Sequence, residues 1–298
     1  MFRQTKEKDE KGGDTRLLLI LPAFRERGTN LTEYRSFVMQ LADKKIRIKP
    51  LYDMIREYCK EYIIPDSYAN PEDINSCGNY GENKSFPVNL DVQITPQDID
   101  YERIRSDRQA EMTGQKMAAY SDAYLETLAV YRKIAEWMPM QDTVLFHGSV
   151  IAVDGKAYLF TAKSGTGKST HTRLWREYFG NRAVMINDDK PLVKITQDGV
   201  YAYGTPWDGK HRLSTNSHAP LAGICILRRG RENVIREITG YEAYPMLMQQ
   251  CYRPRDTKAL TATMRILDQL KGVMNFYELH CNISKEAVEA AYNGMKLG

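Results

Sequence analysis

The chain is poor in cysteine and histidine, with five of each in 298 residues. The cysteines Cys59, Cys77, Cys225, Cys251 and Cys281 are odd in number and far apart, and no Cys-x-x-Cys pair occurs. That spacing argues against both a zinc site and a disulfide framework, and implies reduced thiols. Long apolar runs are also missing. The run at 17–21 is far too short to cross a bilayer. It lacks the longer apolar centre and the small-residue cleavage site of a secretory leader. The expectation is a cytoplasmic protein with no membrane partner. Neither sign of charge is in large excess: 42 Lys and Arg against 38 Asp and Glu give +4. A nucleic-acid footprint is normally stronger and clustered, so no nucleic-acid partner is expected.

What is present is an ordinary globular mixture, 42% hydrophobic and 27% charged, enough to bury a core without staples. Three regions stand out. Residues 1–36 read as an irregular extension, marked by the mixed-charge run 6–11 and Gly12-Gly13. Residues 37–140 read as a smaller α+β cap or docking region. It holds two short strands (37–41, 46–48) turning at 43–45, a helix over 50–63, and a long polar loop over 65–87. An alternating strand (88–94), a solvated helix or linker (97–118) and an amphipathic helix (122–137) follow. Residues 141–298 open with a strand over 144–153, a turn at Asp154-Gly155 and a return strand at 157–161. Helix 168–178, strand 183–186, a hairpin over 192–203 and strand 224–227 come next. Helices over 242–250, with Pro245 in its first turn, 258–270 and 284–295 close the chain.

The chemistry concentrates in Ala162-Lys163-Ser164-Gly165-Thr166-Gly167-Lys168-Ser169, followed by Thr170, which fits the pattern [AG]-x4-G-K-[ST]. The glycines let backbone N–H groups turn inward onto phosphate oxygens. The following helix start adds its positive dipole end. Lys168 reaches the β- and γ-phosphates and the Ser169 hydroxyl ligates the metal. The expected ligand is ATP or GTP with a divalent cation. Asn187-Asp188-Asp189 ends an apolar strand one short helix later. Its acids are either a polar strand end or a functional pair, one for the metal and one for a proton. His147 lies on the strand entering the hairpin that leads to the loop, either as an ordinary polar residue or near the γ-phosphate.

The run Phe146-His147-Gly148, then 161–169, then Ile186-Asn187-Asp188-Asp189 resembles the catalytic core of HPr kinase/phosphorylase and the kindred nucleotide domain of phosphoenolpyruvate carboxykinase. The resemblance covers about 141–230. It implies an α+β or α/β fold built on a mixed β-sheet nucleotide-binding core, with C-terminal helices and the smaller N-terminal α+β region. It also implies Asp188 as general base, Asp189 and Ser169 as metal ligands, His147 beside the base and phosphate, and ATP with Mg2+ or Mn2+ as cofactor.

The turn-rich loop from Gly204 to Arg212 either closes over phosphate, bringing Lys210 or Arg212 to the transferring charge, or packs Trp207 inward as a surface loop. Asn216 and His218 are weaker candidates. Arg253 sits in a turn read as solvated, His171 is read as helix surface, and the Lys44-Lys45 and Arg228-Arg229 pairs are read as solvated charges. The leading expectation is a kinase acting on a hydroxyl of a peptide, protein or small-molecule acceptor, and homo-oligomerisation is open. An ATP-responsive binding protein without phosphoryl transfer is the competing one.

Overall fold

A computed structural model describes residues 36–65, 87–114, 116–209 and 212–296. The expected extension at 1–36, the interior of the 65–87 loop, and Lys210 and His211 lie outside the described residues, apart from Ser36. Strands β1 (Phe37–Leu41) and β2 (Lys44–Lys49) form an antiparallel hairpin. It turns at Ala42 (φ 51°) and Asp43, slightly ahead of the expected turn. Strand β3 (Leu90–Gln93) runs parallel to β2, and Val92 and Ile94 point into the core as the alternation predicts.

The helix expected over 50–63 shrinks to α1 (Met54–Tyr58) and a 3-10 turn at Lys60–Tyr62. The cause lies on another element. The buried carboxylate of Glu126 accepts the N–H groups of Leu51 (2.5 Å) and Tyr52 (3.1 Å) and pins that stretch in place. The 97–118 segment is a helix, α2 (Pro96–Thr113). A Thr95–Asp98 capping box starts it and Gly114 (φ 64°) stops it. Helix α3 (Asp122–Trp137) has the bounds its periodicity predicts. It buries Leu125, Ala129, Val130 and Ile134 against β1, β2 and α1, in a cluster that also takes in Leu145, Leu192 and Trp207. The 37–140 region therefore shares its core with the residues that follow.

The larger sheet is mixed. Its strands are β4 (Thr143–Leu145), β5 (Ser149–Val153), β6 (Lys156–Thr161), β7 (Ala183–Asn187), β8 (Leu192–Thr196), β9 (Gly199–Tyr203), β10 (His218–Arg229), β11 (Val234–Ile238) and β12 (Phe276–Cys281). The order is β4-β8-β9-β10-β6-β5-β7, with β12 beside β10 and β11 beside β12. Strand β10 joins the two parts. Its first residues pair with β9, and past an irregularity at 221–223 it runs parallel to β6 and β12.

Helices α4 (Lys168–Phe179) and α7 (Lys285–Lys296) cover one face, with Trp175 of α4 in one core with Ile151, Phe160 and Leu279. Helices α5 (Gly240–Gln250) and α6 (Thr257–Val273) cover the other, with Leu247 of α5 in one core with Val150, Leu159 and Ile226. Neighbours such as Val150 and Ile151 thus serve opposite cores, as period two requires. Among the described residues no helix is long and apolar enough to cross a membrane.

Three further expectations change, and two strands are additional. The strand expected over 144–153 is broken at 146–148, because those backbone N–H groups donate to Pro191 (2.9 Å), Gln250 (2.7 Å) and Asp189 (3.1 Å) carbonyls instead of to strand neighbours. Strands β11 and β12 had no expectation. Pro245 sits well inside α5, a turn later than expected. His171 is not helix surface: it is buried, packs edge-on against Phe160, and its Nε2 accepts the Trp175 indole N–H (3.0 Å). Burial pushes it down to about 4, so it is a neutral core histidine.

Candidate active site

The Asp154-Gly155 turn (φ 51° and 81°) folds β5 back onto β6 in antiparallel register, and β6 runs directly into the glycine-rich loop. Strand β5 is also antiparallel to β7. Strands β6 and β7 therefore point the same way, and both end on one edge of the sheet. That edge carries the 162–167 loop after β6, Asp188 and Asp189 after β7, and His147 just before β5. The three segments singled out in the sequence converge there.

Within the loop, Ala162 is buried and Lys163, Ser164, Gly165 and Ser169 are exposed. Gly165 (φ 76°) and Gly167 (φ 124°) adopt backbone conformations that L side chains rarely take, so a substituent at either would be strained. The Thr166 hydroxyl ties back to the Lys163 carbonyl (2.8 Å). Gly167 is the N-cap of α4 and offers no side-chain oxygen. No acidic residue occupies the first turn, where Lys168, Ser169 and Thr170 lie. The N–H groups at that end are free of carboxylate competition, which suits an anion. Lys168 is half-buried, and its ammonium donates to the Ala162 carbonyl (3.3 Å). Burial lowers its pKa, with Asp189 acting against that. These residues fit a polyphosphate.

Arg229 is exposed, as a solvated charge should be, but it also has partners on the loop. Its guanidinium donates to the carbonyls of Gly165 (2.5 Å) and Thr166 (3.4 Å), so the end of β10 grips the loop from outside. Arg228 pairs with Glu278 (3.0 Å). Lys44 is likewise paired, with Asp43 (3.1 Å).

The adjacent aspartates differ in environment. Asn187, fully buried, sets both. Its Oδ1 accepts the N–H groups of Asp189 (2.9 Å) and Lys190 (2.6 Å), and its amide donates to Thr205 (3.1 Å to the carbonyl) and towards the Trp207 carbonyl. Asp188 is 5% exposed, and its Oδ1 accepts the Gly209 N–H (2.5 Å). Burial raises its pKa; the Gly209 N–H opposes this, while Asp208 and Asp189 add to it. Burial would raise Asp189 as well. There the His147 hydrogen bond (3.3 Å from Nε2) and the Lys190 ammonium (3.1 Å) outweigh burial and hold the carboxyl below its ordinary value. His147 is thus seated on Asp189, the expected metal ligand.

Among the described residues no cluster of three or more His, Cys, Asp or Glu side chains could hold a metal by itself. The oxygen donors available, Ser169 and Asp189, suit a hard cation completed by phosphate and water.

Trp207 packs inward: its indole N–H donates to the Thr127 carbonyl of α3 (3.1 Å) and its ring lies 5.4 Å from that of Tyr131. The loop over Asp188 is thereby anchored in the N-terminal region. Arg212 (φ 50°) is not on the glycine-rich loop. It pairs with Asp208 (3.2 Å) and lies 4.1 Å from the centre of the Tyr58 ring. Asn216 donates to the Glu61 carbonyl (2.8 Å), His218 stacks on Tyr203 at 4.9 Å, and Arg253 is exposed. Sequence reasoning named neither Gly209 nor Arg229 for the site. The first has no signal beyond its place in an odd loop, and the second had only a charge at the end of an apolar run.

No family model matches the sequence, and no curated protein matches it. Among solved structures the chain is similar to an Hpr(Ser) kinase/phosphatase from Coxiella burnetii, at 10% identity and a TM-score of 0.30, over 50% of this chain and 94% of that one. A likeness that weak carries no weight for residue roles.

Proposed function

We propose that the chain is a metal- and ATP-dependent kinase that transfers the γ-phosphoryl group to an acceptor hydroxyl. The reading is carried by one observation: a glycine-rich loop with an uncapped helix start shares a sheet edge with two adjacent aspartates whose proton affinities are pushed in opposite directions. The raised one, Asp188, is the better base and takes the hydroxyl proton as the oxygen attacks phosphorus. Gly209 fixes its Oδ1 and so orients the carboxylate. Asp189 stays anionic and, with Ser169, is the place for the cation; His147 holds it in position. Mg2+ or Mn2+, when bound, supplies neutralisation of phosphate charge. Lys168 adds a fixed positive charge beside the loop.

The test is Asp188→Asn. Phosphoryl transfer should fall by about two to four orders of magnitude, the usual worth of a positioned base. ATP affinity, measured by titration calorimetry, should change little. If transfer survives the substitution, the assignment is wrong. If no turnover appears in the unaltered chain while partner affinity tracks ATP, the binding-protein reading replaces it.

A further inference from the structure

A cavity of about 230 Å³ opens between the 57–62 stretch and the loop that carries Asp208, lined by Glu57, Tyr58, Tyr62, Asp208, Arg212 and Ser214 among others. It adjoins the candidate base through the chain itself, since Asp208 lines the cavity and the next residue, Gly209, binds the Asp188 carboxylate. The Asp208 side chain is 3% exposed. Its Oδ2 is satisfied by the Ser214 hydroxyl (2.8 Å) and N–H (3.3 Å). Its Oδ1 is buried and receives no hydrogen bond among the described residues. Among the described residues the cation paired with that oxygen is Arg212, whose Nε lies at 3.2 Å but out of hydrogen-bond alignment. The same guanidinium covers the Tyr58 ring. Its side chain is 53% exposed, and it hangs from a backbone at φ 50°. The lining holds three carboxylates, Glu57, Glu61 and Asp208, against Lys60 and Arg212, and Lys60 is already paired with Glu57 (2.7 Å).

We infer that this cavity is the acceptor site, and that it takes a cationic group, guanidinium or ammonium, carried near the reacting hydroxyl. Arg212 occupies the place of that group: an aromatic face on one side and a buried carboxylate oxygen short of a donor on the other. Both favour a cation with N–H groups over a neutral or anionic ligand. An incoming cation displaces Arg212 towards solvent and completes the hydrogen bonding of Asp208. The inference rests on the kinase reading for its place in a reaction, but binding alone tests it.

The probes are serine peptides carrying one arginine, placed one to four residues to either side of the serine, each paired with a copy in which citrulline replaces arginine. Citrulline keeps the shape and loses the charge. Titration calorimetry with the full chain should show the best arginine peptide binding about tenfold tighter than its citrulline twin. Arg212→Ala should tighten the arginine peptide further, because the self-occupant is gone. Tyr58→Leu, which keeps an apolar filler, should erase most of the preference. Equal binding of the twins, no binding by any peptide, or weaker arginine-peptide binding in Arg212→Ala each overturns the inference. The two readings fail separately. If ATP does not bind while the charge preference holds, the kinase reading falls alone. If phosphate is transferred without regard to peptide charge, the cation site falls alone.

Discussion

Gly209 is where a single methyl group would press directly on the candidate base. A Cβ built there would lie 2.5 Å from Asp188 Oδ2 and 2.9 Å from its Cγ. Ordinary contact begins near 3.4 Å, so Gly209→Ala demands a relative shift of roughly 0.9 Å between the loop and the carboxylate. Neither has much freedom. Asp188 lies inside a turn clamped by Asn187, and the loop is anchored through Trp207. A misplacement near 1 Å at a reacting group costs on the order of a hundredfold in rate. The shift also stretches the Gly209 N–H bond, which lowers the Asp188 pKa in the native chain. Losing it disfavours the ionised form, so the acid limb of the pH–rate profile should move to higher pH. The assay is ATP turnover against pH, with water or an identified acceptor. ATP affinity and thermal unfolding are measured alongside. Gly272→Ala is the control: that Cβ would meet nothing within 4 Å and the residue is helical, so turnover should hold and stability should rise by about 0.5–1 kcal/mol. Unchanged turnover and an unmoved acid limb in a folded Gly209→Ala protein would refute the placement of Asp188.

Two further outcomes are expected. Arg229→Ala frees the outer carbonyls of the glycine-rich loop; the ATP dissociation constant should rise roughly threefold to tenfold with little change in turnover at saturation, as expected when a group acts on binding alone. Glu126 and His171 should set opposed pH slopes in denaturant unfolding. Burial raises Glu126 from 4.5 to about 7, so the folded state holds its proton longer and stability falls as pH rises through that window. Burial lowers His171 from 6.5 to about 4, so stability falls as pH drops from 6.5 towards 4. Each effect is at most about 3 kcal/mol. Glu126→Gln should leave stability rising with pH in that range, and His171→Gln should leave it falling; matching slopes in the two variants would remove both assignments.

Periodicity made α3 legible to the residue, because its buried stripe is also its propensity. The Asp-Gly turn and the glycine-rich octet were legible because their backbone angles admit few residue types. What escaped was whatever depended on a distant partner. The start of α1 is set by Glu126, about 75 positions away, and nothing local in 50–53 signals it. His171 reads as surface until Phe160 and Trp175 are folded around it. The break at 146–148 comes from carbonyls in two other segments, 189–191 and the end of α5, and that break turns His147 out of the strand and towards Asp189. The site therefore divides cleanly: the loop is a local code, and its surroundings are tertiary.

The aspartate pair shows why that division matters for chemistry. By residue type alone Asp188 and Asp189 are equivalent, and only the family resemblance tells base from ligand. The fold makes them unequal through two inputs that arrive from outside the strand. One is the 205–209 loop, which buries Asp188 and gives it a single neutral N–H. The other is the 146–148 break, which brings His147 to Asp189 opposite Lys190. Remove the first and Asp188 becomes an ordinary solvated acid, too weak a base to matter. Remove the second and only Lys190 is left to oppose burial at Asp189, so its pKa should rise and the proposed cation should be held less well. Each input is separately mutable, so base strength and cation affinity should respond independently: loop changes should move the acid limb of turnover, and His147→Ala should move the metal requirement.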